Sequence, residues 1–175
     1  MIASPRFRAT VDALLKAEKT LLGDAVWQAG PYDGCFRWLT PLAVEGVTVG
    51  MNLCVDSFPR SSSADYCIML IYETCISRLD FYENDRHQNH AIKRIAVPQG
   101  VELGWIYGPH FHKWGDNRMF ADSKRGPKEL KFAVALNLEA SACSFDNVFR
   151  HFCGECKIIA AANQIPALPQ RDTIV

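Results

Sequence analysis

Across positions 47–55 apolar side chains fall at every second place, with Val47, Val49, Met51, Leu53 and Val55 set against Thr48, Gly50, Asn52 and Cys54. A period of two describes a strand with one face in a core and one wetter face, so the chain is committed to a sheet. Positions 66–72, Tyr-Cys-Ile-Met-Leu-Ile-Tyr, are apolar on both faces, as a central strand requires. Positions 76–82 return to alternation, with Leu79 and Phe81 opposed to Arg78, Asp80 and Tyr82. The connection between these two segments is short, which points to antiparallel neighbours and a meander.

Helical spacing frames this sheet. Ser4 and Pro5 read as an N-cap and first helical residue, and Phe7, Val11, Leu14, Leu15 and Leu22 recur at helical intervals until Gly23. Near the other end Ser144 caps a short helix with Phe145, Val148, Phe149 and Phe152 on one stripe, stopped by Gly154. The fold class expected is α+β: one domain over 1–164, an antiparallel meander with an N-terminal helix and a short C-terminal helix packed on it. Residues 165–175, with Pro166 and Pro169, read as an extended or frayed tail. A chain of 175 residues suits a single domain, because domains commonly run to about 100–200 residues. Positions 130–138 stay open between strand and helix, since Leu130, Phe132, Val134, Leu136 and Leu138 alternate while the alanines favour helix.

Charge and cysteine usage narrow the setting. Nineteen basic residues balance nineteen acidic ones, which argues against a protein that holds long nucleic acid by positive charge. Positions 78–131 are mildly basic, with ten Lys or Arg against seven Asp or Glu, while the rest has nine against twelve. Seven cysteines without framework spacing suggest reduced thiols. With no membrane-length apolar run and no signal-peptide pattern at the first residues, the expectation is a cytoplasmic protein with no membrane partner.

The candidate functional centre lies in positions 78–118. Four of the five histidines, His87, His90, His110 and His112, fall within 26 residues, among Asn89, Asp116, Asn117 and Arg118. On a strand, His110 and His112 share a face about 6–7 Å apart. Two imidazoles in one pocket can divide general base from general acid, as metal-free phosphodiester cleavage needs. Arg78, Arg86, Lys113 and Arg118 are candidates to stabilise charge on the phosphorus oxygens. The expected catalytic set is therefore His110, His112 and His87, with Arg78, Asp80, Asn89, Trp114 and Arg118 contacting or orienting substrate. Trp114 is expected in a loop because Lys113, Gly115 and Asp116 surround it.

This leading reading takes no cofactor. Its alternative is zinc or another divalent metal held by His87, His110, His112 and Asp116, a three-imidazole, one-carboxylate set. Gly104, with five residues between it and His110-x-His112, is similar to the first motif of cupins, although no second motif follows. His151 with Cys153 and Cys156 is more simply a helix end than a zinc site, since a second cysteine pair is missing. The run Lys124-Arg125-Gly126-Pro127-Lys128 reads as a solvated turn or a phosphate-contacting loop.

Ser77-Arg78-Leu79-Asp80, His87-x-Asn89, Gly108-Pro109-His110-Phe111-His112 and Asp116-Asn117-Arg118 together carry a resemblance. In this order the chain resembles a family of small uncharacterised prokaryotic proteins found among mobile elements and toxin-associated genes. The resemblance covers about the last two thirds of the chain. It departs after His112, where Lys113-Trp114-Gly115 is shorter than the family segment. It implies an aromatic C-terminal helix and a closing strand near Lys157-Ile158-Ile159, without fixing an activity. Two function classes follow: a hydrolase or ribonuclease acting on a phosphodiester in RNA or a nucleotide, or a protein-binding inhibitor or antitoxin of phage or mobile-element type.

Overall fold

The computed structural model describes residues 5–59, 64–91, 96–119, 132–138 and 144–170. Helix α1 (Pro5–Lys16) leads into strands β1 (Lys19–Leu21), β2 (Gln28–Ala29), β3 (Phe36–Val44), β4 (Val47–Pro59), β5 (Ala64–Tyr72) and β6 (Thr74–Phe81). A hairpin of β7 (Arg86–Asn89) and β8 (Gly104–Tyr107) follows, then β9 (His110–His112), α2 (Trp114–Asn117), β10 (Leu136–Asn137), α3 (Phe145–Glu155) and β11 (Ile158–Ile159). The class is α+β and sheet-dominated. No helix among the described residues is long and apolar enough to cross a membrane.

The main sheet has nine strands in the order β10-β9-β6-β5-β4-β3-β1-β11, with β2 also on β3. Strands β3 to β6 form the expected meander, each antiparallel to the next. The simple meander does not extend to the edges. Beyond β6 the neighbour is β9, because the β7–β8 hairpin leaves the sheet, and β11 pairs parallel with β1. The sheet is therefore mixed, not purely antiparallel.

Met51, Leu53, Val55, Ile68, Leu70, Leu79 and Phe111 point to one face and pack with Val148, Phe149 and Phe152 of α3 and Val11 of α1. Ser144 caps α3 by accepting from the Asn147 backbone N–H at 3.4 Å, and the helix runs one residue past Gly154. The first helix ends six residues before Leu22, where the periodicity would carry it. Lys19 is the reason: it is wholly buried, and its ammonium donates to the Leu14 and Ala17 carbonyls at 2.7 Å each. These carbonyls belong to the last turn, so the side chain closes the helix and frees Leu21 for the sheet.

The described part of the expected tail, 165–170, lies along the body of the fold. Ile165 and Leu168 pack on the core, and the Trp27 indole donates to the Ala167 carbonyl at 2.8 Å. Of positions 130–138, the described part carries the short strand β10, antiparallel to β9. Cys54 and Cys67, on the face opposite α1 and α3, are buried as well, so the expected wetter face is covered along these strands.

Asp12 fastens α1 to the far end of the site region. It accepts from the Trp114 indole at 2.8 Å and from the Arg118 guanidinium, with an Nη2–Oδ2 distance of 2.6 Å. Arg118 and Trp114 both hold its carboxyl below the ordinary range, against the opposing push of partial burial. A lowered folded-state pKa means stability present above the ordinary carboxylate range and lost as pH falls through it. Asp12→Asn is expected to cost about 1 kcal/mol at neutral pH, and to lose less stability than the native chain between pH 5 and 3 in urea titrations.

Candidate functional site

The register of β6 against β9 builds the site. Arg78 lies opposite His112, Leu79 opposite Phe111 and Asp80 opposite His110. Alternation sends Leu79 and Phe111 into the core, so Arg78, Asp80, His110 and His112 share the other face. There the β7–β8 hairpin brings His87 over them. The His87 ring centroid lies 5.6 Å from that of His110 and 4.6 Å from that of His112, and the last two are 4.9 Å apart. One potential ligand atom from each of the three lies within 4.8 Å of the others. His90 is exposed and outside the group.

The backbone fixes which ring nitrogen faces inward. His110 Nδ1 lies 2.9 Å from the Gly108 carbonyl and His112 Nδ1 lies 3.1 Å from the Val134 carbonyl. A carbonyl only accepts, so each Nδ1 carries the proton and each Nε2 keeps its lone pair. His87 is bonded to the Ala133 backbone, and its Nε2, like that of His112, is buried without a hydrogen-bond partner. Gly108 adopts φ +78°, a left-handed value that glycine takes readily. Its N–H donates to the Asp85 carbonyl at 2.9 Å and its carbonyl is thereby turned toward His110.

Two asparagines hold the strip of chain that orients these rings. Asn117 accepts from the N–H groups of Ala133 and Val134 at 2.8 and 3.1 Å and donates to the Val134 and Lys113 carbonyls at 2.8 and 3.0 Å. Asn89 accepts from the Ala135 N–H at 2.7 Å and donates to the Ala135 and Glu102 carbonyls at 2.8 Å each. Asn89, expected to orient substrate, is thus buried structural clamping, and Asn117 is its counterpart.

Asp80 is the carboxylate of the site. Its Oδ2 accepts from Arg78 Nε at 2.7 Å and lies 3.5 Å from His110 Nε2 and 3.6 Å from His112 Nε2. Burial pushes its carboxyl up, and the adjoining imidazoles and guanidinium pull harder, leaving it below the ordinary range. Burial lowers His87 to about 4 and also lowers His112, where Asp80 partly opposes it. These two imidazoles are neutral at pH 7, a state suited to accepting a proton or binding a cation.

Several expected members lie elsewhere. Trp114 is not in a loop but opens α2, buried, with its ring edge-on to Phe7 at 6.1 Å and its backbone N–H donating to Ser77 Oγ. Arg118 is paired with Asp12. Asp116 is absent from the donor groups among the described residues; its carboxyl is pushed up by burial, with Lys113 and Glu155 as its charged neighbours. A second donor group joins Asp80, Asp85 and His110. His151, Cys153 and Cys156 form no such group, and burial raises both thiols to about 12. The Lys124–Lys128 run, His–cysteine spacing apart, lies outside the described residues.

The margin of the site is half-open. His87, Asp85 and Phe132 are half-buried, and the Arg78 side chain is 39% exposed, with its guanidinium 5.5 Å over the Phe132 ring. Phe132 in turn stacks on His112 at 4.9 Å. A separate cavity of about 380 Å³, lined by Trp27, Trp38 and Ile165 among others, shares no residue with the imidazoles. Comparison with protein-family models, curated proteins and solved structures finds no match to this chain.

Proposed function

We propose that the chain is a hydrolase of an anionic ester, a phosphodiester in RNA or a nucleotide, working at the imidazole cluster. The observation that carries this reading is the convergence of three imidazoles beside the part-exposed guanidinium of Arg78. Hydrolysis forms a bond from water oxygen to phosphorus and breaks the bond to the leaving oxygen. The neutral cluster takes the water proton, and the leaving oxygen is protonated from solvent. Arg78, braced on Asp80 and Phe132, faces charge that builds on the phosphorus oxygens. The balanced net charge favours a short or mononucleotide substrate over long duplex.

The test is turnover of bis(p-nitrophenyl) phosphate, cyclic nucleotides and short single-stranded RNAs, with a divalent salt present. The native chain should cleave at least one, and Arg78→Met should lower kcat/KM by about 100-fold while the far-ultraviolet circular dichroism shows the fold retained. Failure to turn over any member contradicts the reading. A protein-binding role has its own support in the outer face of the hairpin, where Trp105 and Tyr107 are 51% and 68% exposed and Arg86 lies 5.3 Å over Trp105. Aromatic and arginine side chains are the types enriched in interfaces. An inert chain that leaves expression in a stoichiometric complex, released by Trp105→Ala, would favour that role.

A further inference from the structure

We infer that His87, His110 and His112 bind one divalent first-row transition-metal ion through their Nε2 atoms, with Asp80 as the fourth, exchangeable ligand. This deepens the hydrolase reading by changing what would activate the water: with the three Nε2 atoms on an ion, the ion would lower the water's pKa and the proton would pass to solvent instead of to the rings, and its binding test stands apart from turnover.

The first argument is the state of the ring nitrogens. His112 is 0% exposed, and its Nε2 has no hydrogen-bond partner; the Nε2 of His87 is likewise buried and unpaired. A buried acceptor left unsatisfied costs about 1–3 kcal/mol, and two at one point are hard to explain as packing. Their other nitrogens are turned outward onto backbone carbonyls. An imidazole that donates its outer N–H to the protein, with the inner nitrogen bare, is the arrangement by which a metal-binding histidine is oriented and made more basic.

The second argument is acceptor against acceptor. With the proton of His110 and His112 on Nδ1, each Nε2 presents a lone pair to the Asp80 carboxylate, at 3.5 and 3.6 Å. Lone pairs facing at this range repel unless something positive lies between them. The distances also suit one ion: bonds of about 2.0–2.1 Å in a tetrahedron place neighbouring ligand atoms about 3.4 Å apart. Asp116, a member of the set that sequence spacing suggests, enters neither donor group; Asp80 from the adjacent strand lies against two of the three rings and shares a donor group with His110 and Asp85.

The third argument concerns what the ion could do. Three imidazoles and one carboxylate are a borderline donor set, suited to zinc, cobalt or nickel and poorly suited to calcium or magnesium. Asp80 Oδ2 already accepts from Arg78 at 2.7 Å, so its hold on the ion is shared. That makes it the ligand a water or substrate oxygen can displace, leaving three protein ligands, the count of catalytic zinc sites. Arg78 then stands beside the open position. No step of this assignment requires a second ion, although Asp85 lies near Asp80 at the margin.

The experiment is to strip the full chain with chelator, confirm folding by circular dichroism, and titrate with Co²⁺ and separately Zn²⁺. The native chain should take up one equivalent, with Co²⁺ giving the intense visible bands of low-coordinate cobalt and Zn²⁺ raising the melting temperature. His110→Gln and His112→Gln should each weaken binding at least about 100-fold, whereas Asp116→Ala and His151→Ala should leave it unchanged. Absence of stoichiometric uptake by the folded native chain overturns the assignment, as does uptake unaltered in the His110→Gln/His112→Gln double variant. Uptake without cleavage of any ester would leave the metal site standing and remove the hydrolase; cleavage by folded, metal-free chain at full rate would leave the hydrolase standing and remove the ion's part in activating the water.

Discussion

Phe111→Ala should destabilise the chain by about 3–5 kcal/mol, while His112→Ala, one residue away, should change the stability of the metal-free chain by less than about 1 kcal/mol. Both side chains are almost fully buried, so burial alone does not separate them. What separates them is the face. Phe111 packs on Phe152 at 5.3 Å between ring centroids and belongs to the main core. Removing it loses apolar transfer energy and leaves a cavity beneath α3. His112 contributes an imidazole whose inner nitrogen is unpartnered, so its loss removes an unfavourable group together with some packing on Phe132. Chemical denaturation of the two variants against native protein checks the contrast. An equal loss in both would mean that the strand does not present two functionally different faces.

Asn117→Ala should cost about 3–4 kcal/mol, the second large effect. Its side chain satisfies two buried backbone N–H groups and two carbonyls, and alanine leaves Ala133 and Val134 without those partners. The Val134 carbonyl also receives His112 Nδ1, so the damage reaches the site. Asn117→Asp is the informative companion: it keeps the acceptor for the two N–H groups and turns the donor into a second acceptor facing carbonyls. It should recover part of the loss at acidic pH, where the carboxyl is protonated, and little at neutral pH. Urea unfolding at both pH values measures this, and an alanine variant as stable as native would show that the clamp is dispensable.

The parts of this structure that were legible in the sequence are those with a local period. Alternation at Val47 to Val55 marks β4, the doubly apolar run marks central β5, and the aromatic stripe after Ser144 marks α3. Alternation also put His110 and His112 on one face with certainty of direction once β9 was a strand. Parallel pairing of β1 with β11 was not legible, because strands of three and two residues carry no period and their pairing depends on chain ends meeting. The exposed row of Leu103, Trp105 and Tyr107 misleads in the opposite sense: it alternates like a core strand but lies on the outer face of a hairpin that left the sheet.

At the site, sequence proximity pointed to a carboxylate that the structure places apart from the imidazoles. Asp116 lies four residues after His112, yet the intervening turn carries it toward Lys113 and Glu155, while strand pairing brings Asp80 across from 30 residues earlier. Trp114 was misplaced for a related reason: polar neighbours suggested a loop, but a four-residue helix buries the side chains at its two ends, Trp114 and Asn117, and leaves Gly115 exposed between them. The asparagine clamps have no periodic signature at all, since all of their partners but the Lys113 carbonyl lie 13 to 46 positions away along the chain. Their only signal was the presence of buried-capable amides beside each histidine segment.

Everything rests on inward-facing, unprotonated Nε2 atoms from two strands meeting at one point. Long-range proton–nitrogen correlation spectra of the histidine rings in metal-free protein at pH 7 test this directly. The inward-facing lone pairs place the ring proton of His87, His110 and His112 on Nδ1. Protons on the Nε2 atoms would contradict this.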